Sequence, residues 1–290
     1  MAGEGTGRTG RGGGQNWPLL IGALALAGAV SLSIHVVMIE ALGVAYPDDT
    51  GAPAWAKAAN MAGTVIAMLA FYRLARPGLE RHGPLARGLI VLVLLAMVKE
   101  ELRGLVMDGV VTQGWAFAAL KEVPSLVVMA FIAAAVVAVG PRLQGWLSLL
   151  AGGAVLGAVA FFAVQPAIGA AYGPWLQSMA YLAKPDLYQM PYPIQVMVPA
   201  YLTFAEPTAG CAIIAALTWP RLPQQPWLRL AGFAVMIMLI KGVLVRTLVY
   251  SFFMKPPLVS AMLSQGQFGL EFLSLAVLTG LIWQAWGRRA

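Results

Sequence analysis

A chain of 290 residues that is 60% hydrophobic and 11% charged, with a mean hydropathy of +0.77, is no soluble domain. Such a domain carries roughly 25% charged residues. The net charge of +7 comes from basic residues scattered between hydrophobic runs, so it reports membrane topology and excludes a nucleic-acid surface. A lone cysteine, Cys211, rules out a disulfide framework, and two histidines, His35 and His82, are too few for a histidine-rich metal centre. No cofactor is expected.

Residues 1–16 are rich in glycine, hold Arg8 and Arg11 and lack apolar periodicity, as a flexible tail does. Crossing the hydrocarbon core as a helix takes about 20 apolar residues. Eight stretches qualify, at 17–42, 54–74, 86–107, 115–139, 146–172, 197–219, 228–254 and 266–286. The first is too long for the apolar core of a signal peptide and has a partner later in the chain, so it reads as a retained helix. Long runs of this kind are helical because a helix satisfies its own backbone hydrogen bonds. The expected fold is therefore an all-α polytopic membrane protein of about eight helices.

With eight spans, Arg8, Arg11, Arg73, Arg76, Arg81, Arg87, Arg142, Arg221, Arg229, Arg288 and Arg289 fall on one side. Lys57, Lys184 and Lys255 fall on the other, with Asp48, Asp49 and Asp186. Eleven cations against three place both termini in the cytoplasm, in a cell inner membrane of bacterial type. Trp17, Trp55, Trp115, Trp146, Trp219, Trp227, Trp283 and Trp286 lie near span ends, as interfacial anchors do.

The second half of the chain echoes the first. Ala41-Leu-Gly-Val-Ala-Tyr46 resembles Ala167-Ile-Gly-Ala-Ala-Tyr172. Pro53-Ala-Trp55 with Ala62-Gly63 resembles Pro199-Ala-Tyr201 with Ala209-Gly210. Lys99, Leu102 and Arg103 answer Lys241, Leu244 and Arg246, and Gln113-Gly114 answers Gln265-Gly266. Glu122, Ser125, Leu126 and Val128 match Glu271, Ser274, Leu275 and Val277 at identical spacing. Charged residues are rare in such helices, so their shared order carries the comparison. It implies two four-helix repeats, 17–142 and 143–290, and an even span number makes them parallel, related by an axis along the membrane normal. The second also holds a long outer loop at about 173–198, with Trp175, Tyr181, Lys184, Pro185, Asp186, Tyr188, Pro191, Tyr192 and Pro193, a candidate lid.

Ionisable residues inside a bilayer are costly and face a bundle interior or a wet cavity. The set proposed to bind a substrate or ion is Lys99, Glu100, Glu101, Arg103, Glu122, Glu206, Lys241, Arg246 and Glu271. Most fall in the outer half, with Glu122 roughly 10 Å below Trp115 and Glu206 roughly 13 Å below Met197 at the helical rise. On one continuous helix Lys99 and Arg103 share a face and Glu100 pairs with Arg103. Glu101 points elsewhere and needs a partner on another helix, with Lys241 or Arg246 as candidates. Pro124 and Pro207 free the carbonyls of Leu120 and Thr203, for a cation, a water or a neighbouring hydroxyl. His35, alone on an apolar helix, reads as a packed core residue.

Glu100-Glu101-Leu102-Arg103-Gly104 resembles the paired-glutamate motif of CAAX-type intramembrane proteases over five residues. That motif places three residues between the pair and its arginine and has histidines on later helices. Here one residue intervenes and no histidine follows His82, so protease activity is not carried over. The repeat and its matched Lys, Arg and Glu residues point to a transporter or permease for a small anionic or zwitterionic solute, with its site between the two halves. Lys99, Arg103, Lys241 and Arg246 would attract it, and Glu101, Glu122, Glu206 and Glu271 would balance charge or bind a coupling proton. A membrane enzyme acting on a lipid-linked substrate at the outer leaflet, and a non-catalytic assembly subunit, are the alternatives. Membrane lipids are the expected partners, and the oligomeric state is left open.

Overall fold

A computed structural model describes residues 17–112, 114–183 and 191–286. Arg8, Arg11, Gln113, Lys184, Pro185, Asp186, Tyr188, Arg288 and Arg289 lie outside them. Among the described residues the chain is helical and forms no sheet. Six helices are long and apolar enough to cross a membrane, or up to seven if a bent pair counts as one span, which makes this a multi-pass membrane protein.

The helices are α1 (Trp17–Val36), α2 (Ala54–Leu79), α3 (Pro84–Lys99), α4 (Glu101–Met107), α5 (Trp115–Val139) and α6 (Trp146–Val159). They continue as α7 (Gln165–Ser178), α8 (Ile194–Thr203), α9 (Ala205–Thr218), α10 (Pro226–Lys241), α11 (Val243–Val249) and α12 (Leu258–Trp286). A one-turn π segment follows α1 at Val37–Ala41, and another joins α6 to α7 at Ala160–Val164. The run 146–172 extends to Ser178, and α12 begins eight residues before the expected 266. Gln265-Gly266 therefore lies buried inside α12, whereas Gly114 is the N-cap of α5. That part of the internal comparison does not hold in space.

The main departure from sequence expectation is that the runs 86–107 and 228–254 are not continuous helices. Each is a 16-residue helix that stops at a lysine, followed by one residue in left-handed backbone and a 7-residue helix. The left-handed residue is Glu100 (φ 66°) in the first and Gly242 (φ 90°) in the second. Both long segments begin with proline at the first helical turn, where its missing N–H costs nothing. At 1.5 Å per residue each reaches roughly 24 Å, short of a full crossing. Beyond Gly242 the chain turns by 84°.

Packing follows small residues. On α6, a Cβ at Gly157 would lie 2.4 Å from the Ala62 Cα, and one at Gly153 would lie 2.4 Å from Ile66 Cγ1, so α6 and α2 meet backbone to backbone. Gly28 brings α1 equally close to Thr208 on α9. α2 packs on α10, and α9 packs on α3, with Phe71, Tyr72, Phe204, Phe233 and Phe272 fully buried between the layers.

Contacts fix which helix ends lie together. Arg87 donates to the Tyr72 hydroxyl at 3.3 Å, the Arg73 guanidinium lies over the Trp146 ring, and a Cβ at Gly140 would meet Tyr72. Gly78 faces Leu217, and Gly280 faces Leu230 and Trp219. The arginines at 73, 76, 81, 87, 142, 221 and 229 thus belong to one end of the bundle, while Tyr46, Asp49, Trp55, Trp115 and Tyr192 belong to the other.

Candidate functional site

The two helix breaks meet. A helix that ends leaves its last carbonyls without partners and carries partial negative charge there. At both breaks a lysine from the opposite helix answers this. Lys99 Nζ donates to the Lys241 carbonyl at 3.2 Å and to Thr64 Oγ1 at 3.3 Å. Lys241 Nζ donates to the Lys99 carbonyl at 3.0 Å and forms an ion pair with Glu100. Thr64 donates to the carbonyls of Leu239 and Ile240, and the Phe272 ring lies 4.7 Å from the Lys241 ammonium.

Glu100 is 8% exposed and links the break to α4, since its other oxygen pairs with Arg103 at 3.2 Å. The N-terminus of α4 is capped from another helix. The Glu206 carboxylate accepts from Leu102 N at 3.0 Å and Arg103 N at 2.6 Å, and the Arg103 guanidinium lies 5.5 Å over the Phe204 ring. An anion at a helix N-terminus satisfies free N–H groups and the dipole together. Glu206 thus acts here on the backbone.

The break also re-aims Glu101. Neither Lys241 nor Arg246 is its partner, contrary to the continuous-helix expectation. Ser125 donates to Glu101 Oε1 at 2.9 Å, and the Glu122 carboxyl on α5 lies beside Glu101. Gly104 makes room, because a Cβ there would lie 3.2 Å from Glu122 Oε1. Lys121 pairs with Asp108 at 2.6 Å. Arg246 is held by Asp49, which also accepts from Gln265. The turn before Asp49 is closed by Thr50, whose side-chain and backbone hydrogen bonds hold the Asp48 carboxyl below the usual range.

Pro124 frees the Leu120 carbonyl as expected, and the Tyr172 hydroxyl donates to it at 3.0 Å. The acceptor is therefore occupied by the protein. Glu271 is different. It is 1% exposed on α12, and both its oxygens lack a hydrogen-bond partner among the described residues.

A cavity of about 630 Å³ opens beside the break. Lys99, Glu100, Arg103, Gly104 and Asp108 form one wall, with Leu32, His35 and Val36 from α1 opposite. Tyr192, Val196, Met197 and Ala200 close a third side, and Phe268 and Tyr46 complete it. The backbone N–H of Tyr192 donates to Glu40 Oε1 at 2.8 Å, which ties this edge of the cavity to the π segment after α1. Of the nine residues named from sequence, Lys99, Glu100 and Arg103 line this cavity. Lys241 and Glu206 stand behind them, Glu101 and Glu122 pair to one side, and Arg246 lies at a separate cavity.

Sequence reasoning left His35, Tyr46 and Phe268 out of the site and named Tyr192 only as part of the candidate lid. The His35 ring lies 4.5 Å from Phe268 and 6.4 Å from Tyr46, in an aromatic wall assembled from distant segments. One signal was available: His35 follows Ser31 by one helical turn, so the two polar groups share a face of a helix whose other small polar residue is Ser33. Among the described residues no group of three or more His, Cys, Asp or Glu is placed to hold a metal ion. No protein-family model, curated protein or solved structure matches the chain.

Proposed function

We propose that this chain is an inner-membrane transporter or permease for a small zwitterionic or anionic solute, which enters the cavity between α1, α4 and α8. The observation that carries this reading is the pair of broken helices. Non-helical backbone at membrane depth is tolerated where it lines a cavity, and discontinuous helices whose ends face one another are how transporter folds build solute sites. Lys99 and Arg103 supply positive charge on one wall and Glu100 and Asp108 supply negative charge, so a solute bearing both signs finds partners for each. The aromatic wall of His35, Tyr46, Phe268 and Tyr192 would cover its apolar part.

In this reading the chain crosses eight times, with each broken pair counted as one crossing. The arginine-rich end and both termini are cytoplasmic, and the cavity opens outward. The matched 16-residue and 7-residue helices, the π segments at Val37–Ala41 and Ala160–Val164 and the reciprocal lysines support two parallel four-helix repeats. Glu122 and Glu271 are the carboxyls proposed to carry a coupling proton.

The test is thermal unfolding of the purified chain in detergent against amino acids and small mono- and dicarboxylates. We expect at least one compound to raise Tm in a saturable way, with the rise lost in Arg103→Gln. If none raises Tm, or Arg103→Gln responds as the parent does, the reading fails. Activity on a polyprenyl or phospholipid substrate, abolished by Glu101→Gln, would instead establish the lipid-directed enzyme.

A further inference from the structure

Lys99 stands between two cavities. The second, of about 260 Å³, lies across Lys99 from the first and is walled by corresponding segments: α2 where the first has α8, α11 where the first has α4, and the π segment Ala160–Val164 where the first has the end of α1. Lys99 lines both. Their charges differ. The lining of the first holds two cations and two carboxylates. The second holds Lys57, Lys99 and Arg246 against Asp49 alone. With Lys99 assigned wholly to the first, two cations still face one carboxylate.

That carboxylate is already committed. One Asp49 oxygen accepts from Arg246 and the other from Gln265. Lys57 has no carboxylate partner among the described residues, and Arg246 Nε is buried without a hydrogen-bond partner among them. Asn60, Thr64, Gln165 and Tyr250 add neutral polar groups to the lining and no further carboxylate. The cavity runs inward to Lys99 from the bundle end where Asp49 and Lys57 lie, and a cleft lined by an excess of one sign of charge concentrates small counter-ions.

We propose that the second cavity is a binding site for a small monovalent anion, held by Arg246 and Lys57 with Lys99 as the wall shared with the solute cavity. The site rests on its own residues and not on the solute reading. Asp49 orients Arg246 and is a positioning residue, and the volume, less than half that of the first cavity, admits only a small ligand.

The experiment is thermal unfolding of the full chain in lipid nanodiscs, in sodium chloride against sodium gluconate at equal ionic strength. We expect a saturable chloride-dependent rise in Tm that disappears in Arg246→Gln. Lys57→Gln, which leaves the Asp49 contacts intact, should weaken the apparent chloride affinity by about tenfold, the loss of one modest charge contact. Arg103→Gln, on the first cavity, should keep the full chloride response whether or not that cavity binds a solute. Equal Tm in the two salts overturns the proposal. So does a chloride response undiminished in Lys57→Gln, which is decisive even where Arg246→Gln does not fold.

Discussion

Lys99 and Lys241 each donate to the other's main-chain carbonyl, at 3.2 and 3.0 Å, so each ammonium sits on the exposed C-terminus of the helix that carries the other. The exchange is geometrically reciprocal but energetically unequal. Lys241 also neutralises buried Glu100, whereas the acceptors of Lys99 are neutral. Removing one member of a buried ion pair costs about 3–5 kcal/mol, and leaving a buried neutral acceptor unpaired costs about 1–3 kcal/mol. Lys241→Met should therefore destabilise the chain more than Lys99→Met in denaturant unfolding. Equal losses, or the reverse order, would show that the Glu100 pair is not what Lys241 contributes.

Glu206 is expected to act through the backbone of α4. A 7-residue helix is too short to hold itself together, and two of its first N–H groups depend on this carboxylate. Glu206→Ala should cost about 0.5–2 kcal/mol, as the loss of a cap does. Hydrogen exchange should quicken across 101–107 first. Unchanged protection there would leave Glu206 without this role.

The contact of α6 with α2 gives a sharp pair of glycine substitutions. Gly157→Ala drives a methyl into the Ala62 backbone and should destabilise by at least about 1–3 kcal/mol, as overpacking does. Gly169 on α7 has nothing within 4 Å of an added Cβ. Gly169→Ala should be neutral, or stabilising by about 0.5–1 kcal/mol through helix propensity. If both variants melt like the parent, the two helices are not as close as described.

Glu271 separates a working group from a packing group. Its carboxyl makes no hydrogen bond among the described residues, so Glu271→Gln removes no bond and should leave Tm unchanged or raised. A working carboxyl would lose activity in the same variant without losing fold. A large fall in Tm would instead mean that Glu271 anchors the helices around it.

Much of the fold was legible because apolar runs have a length set by the bilayer. The start at Trp115 and the end at Val139 follow directly from the sequence, as does the start at Trp146. The concentration of charge around Lys99 and its match with Lys241 were also legible, since charged residues are conspicuous in apolar helices. The breaks were not. Gly242 is a residue that favours positive φ, but Glu100 is not, and nothing local marks it as the end of a helix. Its conformation is supported by long-range partners, Lys241 and the Glu206-capped start of α4, which come from distant parts of the chain. Treating 86–107 as one helix then misdirected Glu101, whose partners lie on α5. His35 was set aside for a similar reason, because Phe268 and Tyr46 join it only in the folded chain.

The central claim is that a charged solute enters beside Arg103 and crosses the membrane. Uptake of radiolabelled amino acids and small carboxylates into proteoliposomes tests it most directly, with Arg103→Gln protein reconstituted at the same density. Saturable uptake above that of protein-free vesicles, lost in Arg103→Gln protein that retains its fold, is the expected result. Uptake no greater than in empty vesicles, or equal in the two proteins, would contradict it.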